Sequence, residues 1–197
     1  MKRIGVLALQ GGFAEHMQKL RQISSVEAVL VKKREELDGL DGLILPGGES
    51  TAMGRLLRGE KLIDILRKKI RGGLPVWGTC AGMILLAGDI EGQKETYLDV
   101  MHIRVRRNAY GRQTESFSSD SPCPSVDKGI HRLIFIRAPY ITGTAASVDI
   151  LLKLDGHIVA AKEGTMLATS FHPELTDDLW FHQYFAEQIQ HSPSVLT

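Results

Sequence analysis

Leu74-Pro75-Val76-Trp77-Gly78-Thr79-Cys80-Ala81-Gly82 is a short apolar run that halts at a cysteine among small residues and then turns into a helical pattern. A strand that ends so sharply needs glycines, because the backbone must fold tightly and leave the side chain at its apex exposed. The apical residue then sits at a helix N-terminus, where the dipole and the free N–H groups favour a thiolate. Strand, tight turn and helix in that order are the unit of a parallel α/β sheet.

Upstream, the same alternation repeats. Residues 3–9 form a buried strand closed by Gln10-Gly11-Gly12, and Phe13, Met17 and Leu20 follow at helical spacing to about Ile23. Strands are expected over 26–31 and 42–46. Ser50 and Thr51 are expected to cap a helix whose apolar positions run from Met53 through Ile70 to the Gly72-Gly73 stop. Residues 81–87 open the next helix. This half predicts an open, mostly parallel sheet covered by helices on both faces.

Downstream the character changes. Strand candidates at 100–105, 133–137, 148–154, 157–161 and 166–171 are separated by short polar turns that suit hairpins more than crossovers. Residues 111–131, rich in Ser, Pro, Asp and Gly, are expected to be a surface loop. Residues 179–189 are expected to form a last amphipathic helix, and 192–197 a frayed tail. The whole predicts a three-layer α/β sandwich in one domain, 1–197, around an open mixed sheet.

Composition bounds the function. The chain has 197 residues, 43% of them hydrophobic and 24% charged, which suits a globular domain. With 24 Lys and Arg against 23 Asp and Glu, no strong field draws nucleic acid or an anionic membrane. No apolar run approaches the roughly 18 residues of a membrane span, and Met1-Lys2-Arg3 leads straight into a strand. Only Cys80 and Cys123 could form a disulfide, and pairing them would consume the apical thiol. A reducing cytoplasm is the expected location.

Far along the chain, Ser170-Phe171-His172-Pro173-Glu174 offers an imidazole and a carboxylate close together. A lone cysteine is more often a small buried hydrophobe and a lone histidine a satisfied polar group. The glycines beside Cys80 and the rigid Pro173 beside His172 favour instead a nucleophile, a base and an orienting acid. The seven histidines show no metal-ligand spacing. Pro46-Gly47-Gly48-Glu49-Ser50 follows a strand and reads either as a turn with a helix cap or as a pair of backbone N–H groups brought near a ligand oxygen. Arg107 and Arg137 each end a strand. Such arginines are mostly solvated, but they also clamp carboxylates bidentately.

Gly78-Thr79-Cys80-Ala81-Gly82, Pro46-Gly47-Gly48-Glu49-Ser50-Thr51 and Ser170-Phe171-His172-Pro173-Glu174 together resemble the triad-type (class I) glutamine amidotransferases. More narrowly, Gly5-Val6-Leu7-Ala8-Leu9-Gln10-Gly11, Arg107-Asn108-Ala109-Tyr110-Gly111-Arg112-Gln113, Phe135-Ile136-Arg137-Ala138-Pro139 and His172-Pro173-Glu174-Leu175-Thr176 resemble glutaminase subunits of pyridoxal 5′-phosphate synthases. The likeness runs from about residue 3 to 185. It implies Cys80 as nucleophile, His172 as general base and acid, and Glu174 as the residue orienting His172. It implies L-glutamine bound against Gly48, Glu49, Ser50, Arg107, Ile136 and Arg137.

Backbone N–H groups near Gly47 and Gly48 and from Ala81 would hold the oxyanion. The implied chemistry releases ammonia through a γ-glutamyl thioester and needs no cofactor or metal. The implied partner is a (β/α)₈-barrel synthase subunit that makes pyridoxal 5′-phosphate. The stretches 91–99 and 118–131 depart from the family's usual pattern, which bears on loop shape and partner fit. Competing readings are a glutaminase for another pathway, such as imidazole glycerol phosphate synthesis, a cysteine hydrolase or peptidase on a related scaffold, and a non-catalytic binding subunit.

Overall fold

The computed structural model describes residues 1–109 and 116–189. In chain order it contains β1 (Lys2–Leu7), α1 (Phe13–Leu20), β2 (Val26–Val31), β3 (Gly42–Leu45), α2 (Ser50–Gly59), α3 (Ile63–Arg71), β4 (Val76–Thr79), α4 (Ala81–Leu86), β5 (Ala87–Ile90) and β6 (Met101–Arg106). There follow β7 (Ser116–Pro122), β8 (Ile130–Ile136), β9 (Tyr140–Thr144), β10 (Asp149–Leu154), β11 (His157–Glu163), β12 (Met166–Thr169) and α5 (Trp180–Gln188). A ten-stranded mixed sheet runs β2-β1-β3-β4-β12-β11-β9-β6-β5, with β10 hydrogen-bonded to β11. The pairs from β2 across to β12 are all parallel.

The sheet divides two hydrophobic layers, and the side-chain alternation of its strands feeds both. Leu43, Leu45 and Val76 face one layer with Met53, Leu57, Leu66 and Ile70 of α2 and α3. Ile44 and Trp77 face the other with Met17 and Leu20 of α1 and Phe181 and Phe185 of α5. β3 and β4 are buried at every position, as strands covered on both faces must be. The architecture is the α/β sandwich that the alternation predicts.

Several boundaries differ from expectation. The apolar pattern over 50–70 is two helices, because Lys61 adopts φ 56° and turns the chain between them. Glu49, not Ser50 or Thr51, caps α2. Its longer side chain accepts from both Thr51 N (3.0 Å) and Ala52 N (2.7 Å). The helix expected over 81–87 stops at Leu86, and the chain passes directly into β5 at Ala87-Gly88.

Residues 116–131 are not simply loop. Ser116–Pro122 pairs along its whole length with β8, and Phe117 stacks on Phe135 at 4.6 Å. The polar composition of β7 hid a hairpin whose outer face meets water. β9 was likewise unforeseen. β12 arrives by a hairpin from β11 but lies parallel to β4, in the middle of the sheet. The expected tail at 192–197 lies outside the described residues. Among the described residues, no helix is long and apolar enough to cross a membrane.

Candidate active site

Strand register assembles the site. Leu45 of β3 pairs with Gly78 of β4, and Thr79 of β4 pairs with Thr169 of β12. The chain segments leaving these three parallel strands therefore emerge side by side at the sheet's carboxyl edge. They carry Gly47-Gly48-Glu49, Cys80 and His172-Pro173-Glu174. A bond from Cys80 N to Thr169 O (2.7 Å) ties the last two together.

Cys80 occupies φ 49°, ψ −103° between β4 and α4. A non-glycine residue in that region is strained, and the surrounding packing must hold it there. Gly78 and Gly82 make the turn possible: a Cβ on Gly82 would stand 2.0 Å from Leu45 O, and one on Gly78 would stand 2.4 Å from the Gly82 backbone. The strand, turn and helix approach so closely that only glycines fit. Ala81 begins α4, and its N–H is among those a helix start leaves without an intrahelical partner.

His172 Nδ1 lies 2.7 Å from Glu174 Oε1, and both side chains are almost fully buried. Pro173 starts a short 3-10 turn that brings the carboxylate back under the ring. The strand β8 also fixes His172, whose N–H donates to Ile134 O at 2.8 Å. Burial pushes the imidazole down, but the Cys80 and Glu174 side chains outweigh it and raise it to about 10. For Glu174, burial disfavours charge, yet His16 and His172 hold it below the ordinary carboxylate value. Nε2 of His172 is buried and makes no hydrogen bond among the described residues, and Cys80 Sγ lies instead 3.8 Å from Ile136 O.

These groups open into a cavity of about 380 Å³, the size of a small-molecule site. Its walls include Gly47, Gly48, Glu49, Ser50, Cys80, Ala81, Arg107, Ile136, Arg137, His172 and Glu174, so every residue singled out in the sequence meets there. A larger cavity of about 940 Å³, around Leu37, Gly73, Leu74, Met166 and Phe185, is lined by no cysteine or histidine among the described residues.

The walls differ in their present partners. Arg107 is engaged by Gln93 Oε1 (2.9 Å), Glu49 Oε1 (3.2 Å) and Thr51 Oγ1 (3.4 Å), which brings the unusual 91–99 stretch to the edge of the site. Arg137 is exposed at φ 44° and makes no ion pair among the described residues. Ser50 Oγ is buried without a hydrogen-bond partner among the described residues. Gly47 packs edge-on to His172, since a Cβ there would come 2.4 Å from Cε1. Of the segment 107–113, residues 110–113 lie outside the described residues.

Gln10, Gly11 and Gly12 also line the cavity. Gln10 Oε1 accepts from Glu49 N at 2.9 Å, and Gly12 N donates to Gly47 O at 3.0 Å. Pattern alone reads this stretch as a strand followed by a turn, and Gln10 and Gly11 stand out only through the family resemblance. The rule that sites gather at the carboxyl edge of parallel strands would have brought Gln10 in as well. His16 lies beside Glu174 and links to Thr79 and His182, and neither histidine carries a sequence signal.

Residues 6–191 match the SNO glutamine amidotransferase family. The chain is 55% identical to the "Pyridoxal 5'-phosphate synthase subunit PdxT" of Clostridium botulinum (strain Loch Maree / Type A3) over 95% of its own length and 97% of that protein. It is 53% identical to the protein of the same name from Ruminiclostridium cellulolyticum, over 96% of its length and 100% of that protein. A crystal structure of a glutamine amidotransferase superposes with a TM-score of 0.89 at 44% identity, covering 94% of this chain and 98% of the other. PurLQS from Thermotoga maritima shares the fold, with a TM-score of 0.70 at 16% identity over 96% of this chain and 99% of that one.

Proposed function

The chain belongs to the SNO glutamine amidotransferase family, and on that premise we propose that it hydrolyses L-glutamine to L-glutamate and ammonia as the glutaminase subunit of a pyridoxal 5′-phosphate synthase. The observation that carries the chemistry is the meeting of Cys80, at the apex of its strained turn, with the buried His172–Glu174 pair in one cavity.

The Cys80 thiolate attacks the side-chain amide carbon of glutamine and forms the C–S bond. Negative charge moves to the amide oxygen, which the Ala81 N–H and, once its peptide has turned, the Gly47-Gly48 backbone stabilise. His172, held protonated by its neighbours, gives a proton to the amide nitrogen as the C–N bond breaks and ammonia leaves. Water then adds to the γ-glutamyl thioester. His172 takes the water's proton, the C–S bond breaks, and glutamate departs. Glu174 keeps Nδ1 protonated throughout, so that Nε2 faces the reaction.

The α-carboxylate and α-amino group of glutamine are bound at the outer wall, by Arg137, Arg107, Glu49, Ser50, Gly48 and Ile136. Arg107 would exchange part of its present pairing with Glu49 for the substrate. Ammonia passes to a (β/α)₈-barrel synthase subunit, and the product vitamin is not a ligand of this chain. Two free, buried cysteines suit work in the reducing cytoplasm.

The free chain is a poor glutaminase and the synthase switches it on. The Gly47-Gly48 peptide is the switch, for its carbonyl is held by Gly12 N–H and the next N–H by Gln10. A partner docked over Gln10 to His16 and Glu49 to Met53 would release those bonds and turn a donor towards the oxyanion. Withholding one such donor costs on the order of 10²–10³ in rate. Ammonia release from glutamine, followed while a barrel synthase is titrated in, tests both parts. Rate rising to a plateau at stoichiometric synthase is the expected result. Equal rates with and without synthase remove the switch, and no ammonia under either condition removes the function.

A further inference from the structure

Beneath the triad lies a polar chain that the chemistry above does not use. His16, on α1, is fully buried. Its Nε2 stands 3.2 Å from Thr79 Oγ1 and 3.5 Å from Glu174 Oε2, the carboxylate oxygen that His172 does not take. Its Nδ1 stands 2.9 Å from Nε2 of His182 on α5, which is also fully buried. Trp77 closes the space, packing edge-on against both rings at 5.5 and 5.0 Å. Glu174 Oε1 pairs with His172, while Oε2 is buried and makes no hydrogen bond among the described residues, His16 Nε2 being in ion-pair range at 3.5 Å.

The tautomers follow by elimination. Burial holds both histidines below their ordinary value, so each ring carries one proton at neutral pH. One arrangement has His182 Nε2–H donating to His16 Nδ1, and His16 Nε2–H directed at Glu174 Oε2 and Thr79 Oγ1. It leaves only a bare lone pair on His182 Nδ1, an atom with no hydrogen-bond partner among the described residues. The reverse arrangement strands an N–H at that buried atom and points the His16 lone pair at a carboxylate. Both of its consequences are unfavourable.

Resting on the triad reading, we propose that His16, with its tautomer set by His182, is a positioning residue for the triad: its Nε2–H, bonded to Thr79 Oγ1, turns the positive edge of the ring to the outer oxygen of Glu174 at 3.5 Å, so that the inner one stays on His172 Nδ1. The groups that face this pair are Glu174 and His172 from the 3-10 turn, Glu15 and Lys19 from α1 itself, and Thr79 from β4. Because α1 begins just after Gln10-Gly11-Gly12, the helix that carries His16 also borders the oxyanion loop. A displacement of α1 would therefore reach both halves of the catalytic apparatus.

Two substitutions separate position from packing. A glutamine amide reaches the place of Nε2, whereas an asparagine amide reaches only that of Nδ1. In complex with a barrel synthase, His16→Gln should keep kcat within about threefold of wild type. His16→Asn should lose about tenfold or more in kcat, the order expected when a group supporting a catalytic residue is removed, with KM for glutamine unchanged. The asparagine protein should also show the kcat/KM limb assigned to His172 displaced towards lower pH.

Equal losses in the two variants, or wild-type kcat and pH profile in a correctly assembled His16→Asn complex, would overturn the positioning role. Should either variant not fold, the wild-type protein decides: long-range ¹H–¹⁵N correlation must find His16 protonated on Nε2, and protonation on Nδ1 refutes the proposal. Cys80→Ser is measured beside them. Turnover in that protein would remove the triad itself, whereas an inactive Cys80→Ser beside a fully active His16→Asn removes only the inference about His16.

Discussion

The parallel side of the sheet and the antiparallel side supply different things to one cavity. β3, β4 and β12 run parallel, the first two buried at every position and β12 at all but Met166, and the segments beyond their carboxyl ends deliver Gly47, Cys80 and His172 at fixed register. The antiparallel side reaches in with the ends of β6 and β8, which deliver Arg107, Ile136 and Arg137. Cys80 and His172 therefore follow strands buried in the sheet, and Arg107 and Arg137 stand at strand ends nearer its rim. Arg137 is exposed, whereas Cys80, His172 and Glu174 are buried. The division teaches that damage to the parallel side should stop chemistry or folding, and damage to the rim should weaken binding.

The hardest test of the buried side is His172→Asn. In complex with a synthase it should lower kcat for ammonia release by on the order of 10³ or more, because acid and base functions fail together. Residual activity within tenfold of wild type would place the proton transfers elsewhere. Next comes Gly82→Ala, which forces a methyl group towards Leu45 O at 2.0 Å. A misfit against backbone costs about 3 kcal/mol or more, so thermal unfolding should fall by roughly 6 °C or more for a chain of this size. An unchanged midpoint would show that the elbow has slack.

Glu174→Gln should cost about 10²-fold in kcat, less than loss of His172, because the residue orients rather than exchanging the proton. It also changes a titration. The His172 value is raised to about 10, so its contribution to stability is complete below the ordinary 6.5 and disappears as pH rises through about 10. Removing the Glu174 charge should move that loss to lower pH, visible in unfolding midpoints measured between pH 6 and 10 and in the His172 ring resonances. Identical pH dependence in the two proteins would contradict the coupling.

The smallest effect belongs to the rim. Arg137→Ala should raise KM for glutamine by about tenfold, roughly 1.4 kcal/mol, with kcat nearly unchanged, since a clamp on the α-carboxylate acts equally in ground and transition states. Steady-state kinetics of the complex check this. A loss confined to kcat would move Arg137 from recognition to the chemistry.

The parallel side was also the more legible in the sequence. Apolar runs closed by glycines and prolines announced β1, β3 and β4, and the small residues around Cys80 announced the elbow. A strand buried on both faces must be apolar throughout, and that pattern survives without its neighbours. β7 failed for the opposite reason: Ser118, Ser119, Asp120 and Ser121 suit a loop, and only pairing with β8 makes them a strand. The cap on α2 was misplaced because Ser50 and Thr51 are stronger cap formers than Glu49, whose reach to two N–H groups depends on the turn before it. His16 and His182 left no trace, since two histidines far apart in sequence become partners only when α1 and α5 pack on the same sheet face.

Labelling with a glutamine-derived diazoketone tests the central claim most directly, that Cys80 is the nucleophile of a site built at the carboxyl edge of β4 and β12. The synthase-bound protein should take up one equivalent, mapped by peptide mass spectrometry to Cys80, with ammonia release lost in proportion and excess glutamine protecting. Cys123, buried with its thiol pushed up to about 11, should remain unmodified. Label on Cys123 alone, or full activity in protein whose Cys80 is completely modified, would contradict the account.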